Sequence, residues 1–142
     1  MLIPPLPNLH SQDQADHFMP LGIFALMASL KHQGIEAALF TPSRRLYTPD
    51  DYNDLVQEII STGSPVVGFS TWCVSYATSL ILAEKIKIKD PSVTILFGGP
   101  HASVTAFETL KKYPFVDFVL KGEADESLPL FMSAFQNGNK QE

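Results

Sequence analysis

Val93-Thr94-Ile95-Leu96-Phe97, followed at once by Gly98-Gly99-Pro100-His101, is the stretch on which the fold turns. Five apolar or β-branched residues in a row, without a polar residue at every second place, read as a strand covered on both faces, as in a parallel sheet wrapped by helices. Two glycines then bend the chain, and Pro100 leads into a helical stretch expected at about 102–112.

Outward from this unit the same strand, turn and helix order recurs. Upstream, Pro65-Val66-Val67-Gly68-Phe69 reads as a strand, Ser70-Thr71-Trp72-Cys73 as its turn, and 74–89 as the helix that follows. Downstream, Val116-Asp117-Phe118-Val119-Leu120 reads as a strand, Gly122-Glu123-Ala124-Asp125 as its turn, and 125–136 as a helix with Leu128, Phe131, Met132 and Phe135 on one stripe. Nearer the N-terminus, Thr48 is placed as an N-cap, with Pro49 in the first turn and Asp50 and Asp51 beside the positive end of the helix dipole. Tyr52, Leu55, Val56, Ile59 and Ile60 then share one face of that helix, and Ile35 to Phe40 reads as the strand before it. The first strand is little more than Met1-Leu2-Ile3, because Pro4 and Pro5 cannot donate ladder hydrogen bonds, and is expected to be either clipped or short. Pro20 opens a helix through Leu21–Leu30, stopped by Gly34, that is apolar nearly all round and so suits deep packing or a partner surface.

The expected fold is therefore α/β, a flavodoxin-like, doubly wound, five-stranded parallel sheet of probable order 2-1-3-4-5, with residues 1–142 as a single domain. A chain of 142 residues fits one core, since domains run to about 100–200 residues. A formal charge of −5 and the lack of a basic stripe argue against nucleic-acid binding. Cys73 is the lone cysteine, which excludes an internal disulfide, a zinc site or a cluster site built from this chain's thiolates. No apolar run reaches the ~20 residues of a membrane span and no basic residue precedes Lys31, so the expected location is the cytoplasm.

In an open α/β sheet the ligand crevice lies outside the carboxyl ends of the strands. The turns gathered there are Pro4-Pro5-Leu6, Ser70-Thr71-Trp72-Cys73, Gly98-Gly99-Pro100-His101 and Gly122-Glu123. Glycines at 98, 99 and 122 let a ligand reach the backbone, and Ser70 or Thr71 can cap the next helix or offer a hydroxyl. Cys73 reads as a small apolar residue rather than a nucleophile, because no partnering base is evident. Glu123, Asp125 and Glu126 read as helix-dipole partners rather than metal ligands.

Taken in order, Ile3-Pro4-Pro5, Pro20-Leu21-Gly22, Val66-Val67-Gly68-Phe69-Ser70, Leu96-Phe97-Gly98-Gly99-Pro100-His101, Val116-Asp117-Phe118-Val119 and Gly122-Glu123 resemble the N-terminal cobalamin-binding domain of cobalamin-dependent radical S-adenosylmethionine enzymes. The resemblance implies a corrinoid across the carboxyl edge, its nucleotide tail lying between the sheet and the turns. The implied contacts are Pro5, Leu6, Ser70, Thr71, Trp72, Cys73, Gly98, Gly99, Pro100, His101, Gly122 and Glu123. Cobalamin mutases of similar fold carry Asp-x-His-x-x-Gly after the first strand to place an imidazole on cobalt. That motif is absent: Asp16-His17 lacks the spacing, and His10 has no Asp two residues before it. No protein histidine is therefore expected on cobalt, no catalytic residue is assigned to these residues, and His101 is expected to hydrogen-bond or face solvent.

The resemblance further implies a radical S-adenosylmethionine barrel, in cis or in trans, that carries the Cys-x-x-x-Cys-x-x-Cys motif for a [4Fe–4S] cluster and S-adenosylmethionine. Methyl transfer or related radical chemistry would take place there. The apolar helix at 21–30 adds self-association as an expectation for the isolated chain. The competing readings are a flavodoxin-like module for FMN or another nucleotide, disfavoured by a Pro-rich first turn, and a receiver-like signalling domain, disfavoured by Ser70-Thr71 at the phosphoacceptor turn.

Overall fold

The two longest β-branched runs make the centre of the sheet in a computed structural model that describes residues 1–4, 20–41 and 48–138. Val66–Ser70 (β2) and Thr94–Gly98 (β3) pair in parallel over their full length, Val66 against Thr94 and Ser70 against Gly98. Leu2–Ile3 (β1) joins the free edge of β2, with Leu2 opposite Gly68 and Ile3 opposite Phe69. Phe118–Val119 (β4) joins the free edge of β3, opposite Leu96 and Phe97. The spatial order is β1-β2-β3-β4.

The sheet has four strands, not the five expected. Residues 35–40 form no strand and contribute a single parallel bridge, Leu39 to Leu2. The cause lies in β1. Pro4 ends it after two residues, and only Leu2 turns its N–H and C=O outward, to the Ala38 carbonyl and the Phe40 N–H. A segment beside so short an edge finds no second rung. The run at 116–120 is likewise a strand only at Phe118–Val119, although the Asp117 and Leu120 N–H groups still reach the Ile95 and Phe97 carbonyls.

Among the described residues five helices accompany these strands: Leu21–His32 (α1), Pro49–Ser61 (α2), Tyr76–Lys89 (α3), Pro100–Lys112 (α4) and Ser127–Gln136 (α5). α2 opens as its sequence demands. The Thr48 hydroxyl accepts the Asp51 N–H and the Asp51 carboxylate accepts the Thr48 N–H, a complete capping box. α4 begins two residues before the expected start because Pro100 already has the φ of a first turn.

Alternation along the strands sorts the core into two faces. On the back face Ile3, Val67, Phe69, Ile95 and Phe97 pack against α2, α3 and the start of α4, through Leu55, Ile59, Leu82, Ile86 and Ala102. On the front face Leu2, Val66 and Leu96 meet Ile23 and Leu30 of α1 and Leu128 of α5. Among the described residues no helix is long and apolar enough to cross a membrane.

Candidate functional site

The front face loses its side chains toward the carboxyl edge. One cross-strand row reads Leu2, Gly68, Leu96, Phe118; the next begins Ser70, Gly98. A Cβ on Gly98 would meet only the Leu120 carbonyl oxygen, at 3.9 Å, so the position opens into space. Gly68 is glycine for another reason: a Cβ there would stand 2.9 Å from Leu2 Cδ2, so its absence lets Leu2 lie flat on the sheet.

Above this floor lies a cavity of about 650 Å³. Gly68, Ser70, Leu96, Gly98 and Leu120 form its base; Pro20, Leu21, Gly22, Ile23 and Leu26 of α1 and its entry form one wall; Gly122, Glu123, Ala124, Asp125 and Leu128 form the other. Its size is that of pockets which enclose small ligands, and apolar walls with few polar groups are typical of them. Glu123 and Asp125 are the ionisable residues on its lining. A donated hydrogen bond from the Ser29 hydroxyl to the Asp125 carbonyl joins the two walls.

The turns at the edge hold one another. Thr71, with no solvent exposure, donates from its N–H and its hydroxyl to the Gly98 carbonyl, at 2.8 and 2.9 Å. In return the His101 N–H reaches the Thr71 carbonyl at 3.1 Å and the Ala102 N–H reaches the Thr71 hydroxyl at 3.2 Å. Thr71 thus caps α4, the helix after the neighbouring strand, and not the helix that follows it in sequence. Those first-turn amides are engaged, so the start of α4 has little to offer a phosphate. The crossing also explains Gly99: φ is +91°, and a Cβ would lie 2.8 Å from both the Thr71 N and O atoms.

Residues 15–131 match the family described as the B12 binding domain. The chain belongs to that family. Among proteins to which this B12 binding domain is similar, the anaerobic magnesium-protoporphyrin IX monomethyl ester cyclase of Rubrivivax gelatinosus is 27% identical over 139 residues, covering 93% of this chain and 24% of the relative. The protein of the same name from Synechocystis sp. (strain ATCC 27184 / PCC 6803 / Kazusa) is 21% identical over 141 residues, covering 98% of this chain and 28% of the relative. The chain therefore spans about a quarter of the length of these relatives.

Of the residues expected at the site, the B12 binding domain brings Ser70, Trp72, Gly98, Gly99, Pro100, Gly122 and Glu123 to the cavity lining. Thr71, Cys73 and His101 are not on it. Thr71 lies behind the floor, Cys73 is exposed at the turn, and the His101 ring packs on Tyr76 of α3 with centroids 4.3 Å apart. Pro5 and Leu6 fall outside the described residues. The α1 wall, Leu120 and Ser103 were not among the residues singled out. The all-round apolar character of α1 was a signal, since one flank of it faces the cavity, and Ser103 stands one helical turn after Gly99. Among the described residues no group of three His, Cys, Asp or Glu side chains is placed to hold a metal ion.

Proposed function

We propose that this B12 binding domain holds cobalamin across the carboxyl edge of the sheet, with the nucleotide tail in the cavity, the lower base off cobalt and no protein histidine in its place. The observation that carries this reading is the open position above Gly98, a side-chain-sized gap in a sheet otherwise closely packed. The residues present fit the group. A flat base and its sugar need apolar walls, here Leu21, Leu26 and Leu128, and polar contacts at the floor, here the Ser70 hydroxyl and the glycine backbones. Trp72, 43% exposed and on the cavity lining with Pro100 and Glu123, is placed to meet the corrin. Thr71 and the His101 N–H act from behind the site by holding the turns, and Cys73 flanks them at the surface.

Bound cobalamin supplies a cobalt centre for methyl transfer or related radical chemistry. The chain itself binds and orients. The reacting partner in this reading is a radical S-adenosylmethionine barrel, in cis or in trans, with its own [4Fe–4S] cluster, in the cytoplasm. The resemblance to cobalamin-dependent radical S-adenosylmethionine enzymes and the match to the B12 binding domain support a barrel partner of that kind. Phe24 of α1, 43% exposed and not on the cavity lining, suits contact with that barrel, or self-association of the chain on its own. With segment 38–40 counted beside β1, the sheet follows the flavodoxin-like order 2-1-3-4-5.

The test is to mix the purified chain with hydroxocobalamin, desalt it and record the visible spectrum. A retained base-off corrinoid band is expected. Complete loss of corrinoid with retention of added FMN overturns the proposal.

A further inference from the structure

Ser103 is the polar side chain at the cavity that links two of its glycine turns. It lies on the lining, on the first turn of α4. Its hydroxyl donates to the Gly99 carbonyl at 2.8 Å and accepts the Gly122 N–H at 2.9 Å. The first bond is the familiar return of a helical serine to the carbonyl four residues back. The second is not local: it spans 19 residues and reaches from the turn after β3 to the turn after β4. Gly122 is exposed, a Cβ there would meet nothing within 4 Å, and its φ of +72° is one of several conformations open to glycine, so the hydrogen bond to Ser103 ties the turn at a point where it is otherwise free to vary.

We propose that Ser103 is a positioning residue of the cofactor cavity, a clasp that sets the distance between the Gly98-Gly99 turn and the Gly122-Glu123 turn. A hydroxyl is suited to this because it donates and accepts at once: it takes the Gly122 N–H, and it donates to the second lone pair of the Gly99 carbonyl, which also accepts the Ser103 N–H at 3.0 Å. The clasp leaves the Gly122-Glu123 rim standing off the floor, so the cavity is open before the ligand arrives and less ordering free energy is lost on binding. The inference rests on the corrinoid reading for its ligand, but the clasp itself is a property of the ligand-free chain.

The test uses the whole chain as wild type, S103A and S103T. Trp72 is the one tryptophan in the sequence and sits at the lip, so quenching of its fluorescence by hydroxocobalamin reports binding. Loss of one hydrogen bond in S103A should speed exchange of the Gly122 amide proton about tenfold and weaken hydroxocobalamin binding about fivefold to tenfold. Exchange at Ala102, held by Thr71, should not change. S103T keeps the hydroxyl and should stay within about twofold of wild type in both readings. Should S103A fail to fold, S103C removes the strong donor and acceptor at similar volume and takes its place. Unchanged Gly122 exchange in S103A, or equal weakening in S103A and S103T, overturns the clasp. If wild type does not bind hydroxocobalamin, the corrinoid reading falls, and Gly122 exchange still decides whether the clasp exists.

Discussion

The two faces of the sheet are built by the same strands and differ in what those strands carry. On the back, the row Ile3, Phe69, Phe97, Val119 crosses all four strands, and its first three members are at most 2% exposed. Phe69 and Phe97 meet at 5.4 Å between ring centroids, and Tyr76 closes on Phe97 edge-on at 6.1 Å. One residue away on the front, β2 and β3 carry Gly68 and Gly98. Period-two alternation thus lets five residues specify a sealed core and an open floor together. Stability is concentrated on the back and ligand access on the front.

The comparison can be broken most forcefully from the back. Phe97→Ala should lower unfolding free energy by about 3–5 kcal/mol, measured by denaturant titration, because the ring is fully buried among aromatic neighbours. A loss below about 1 kcal/mol would mean that the back face is not the stabilising one. Gly99→Ala joins the two faces, since its new Cβ would press on the Thr71 backbone at a φ of +91°. It should cost roughly 1–3 kcal/mol and also weaken hydroxocobalamin retention, seen by melting and by the visible spectrum after desalting.

Gly98→Val separates them. A β-branched residue suits a strand, and the space above Gly98 is open, so stability should hold within about 1 kcal/mol while hydroxocobalamin affinity falls at least about tenfold. Retained affinity in that variant would show that the floor is not where the ligand sits. The smallest effect belongs to neither face. Two hydrogen bonds from Ser92 hold the Asp90 carboxyl below the ordinary 3.8, helped by Lys87. A depressed folded-state pKa adds stability above the unfolded value and loses it as pH falls through the folded value. The slope of stability against pH below about 4 should therefore be shallower in Asp90→Asn than in wild type, as chemical denaturation across that range would show.

The centre of the fold was legible because its signals are local. Val66–Phe69 and Thr94–Phe97 announce buried strands by composition, and the Thr48-to-Asp51 spacing announces the start of α2. Residues 35–40 misled, because pairing depends on how much edge the neighbour offers, and Pro4 leaves β1 only one outward-facing residue. At the site, the glycine turns were legible and the orientation of their neighbours was not. Ser70 faces the cavity while Thr71, next in sequence, turns away to cap α4, a distinction set by strand register. His101, among the contacts the resemblance implies, follows the Gly-Gly-Pro turn, yet its ring lies on Tyr76 in an aromatic contact no spacing reveals. The α1 helix, apolar on every side, gave no sign of which flank would wall a cavity.

Leu2 lies flat where Gly68 carries no side chain, and it is also part of the cavity lining. One of the two shortest strands therefore contributes to the pocket, attached through a handful of bonds. Segments so lightly tied are the first to detach in local unfolding, at a free energy well below that of the whole domain. Edge breathing at β1 and the lifetime of whatever occupies the cavity are in this way linked: a bound molecule that touches Leu2 latches the strand, and a detaching strand shortens its residence.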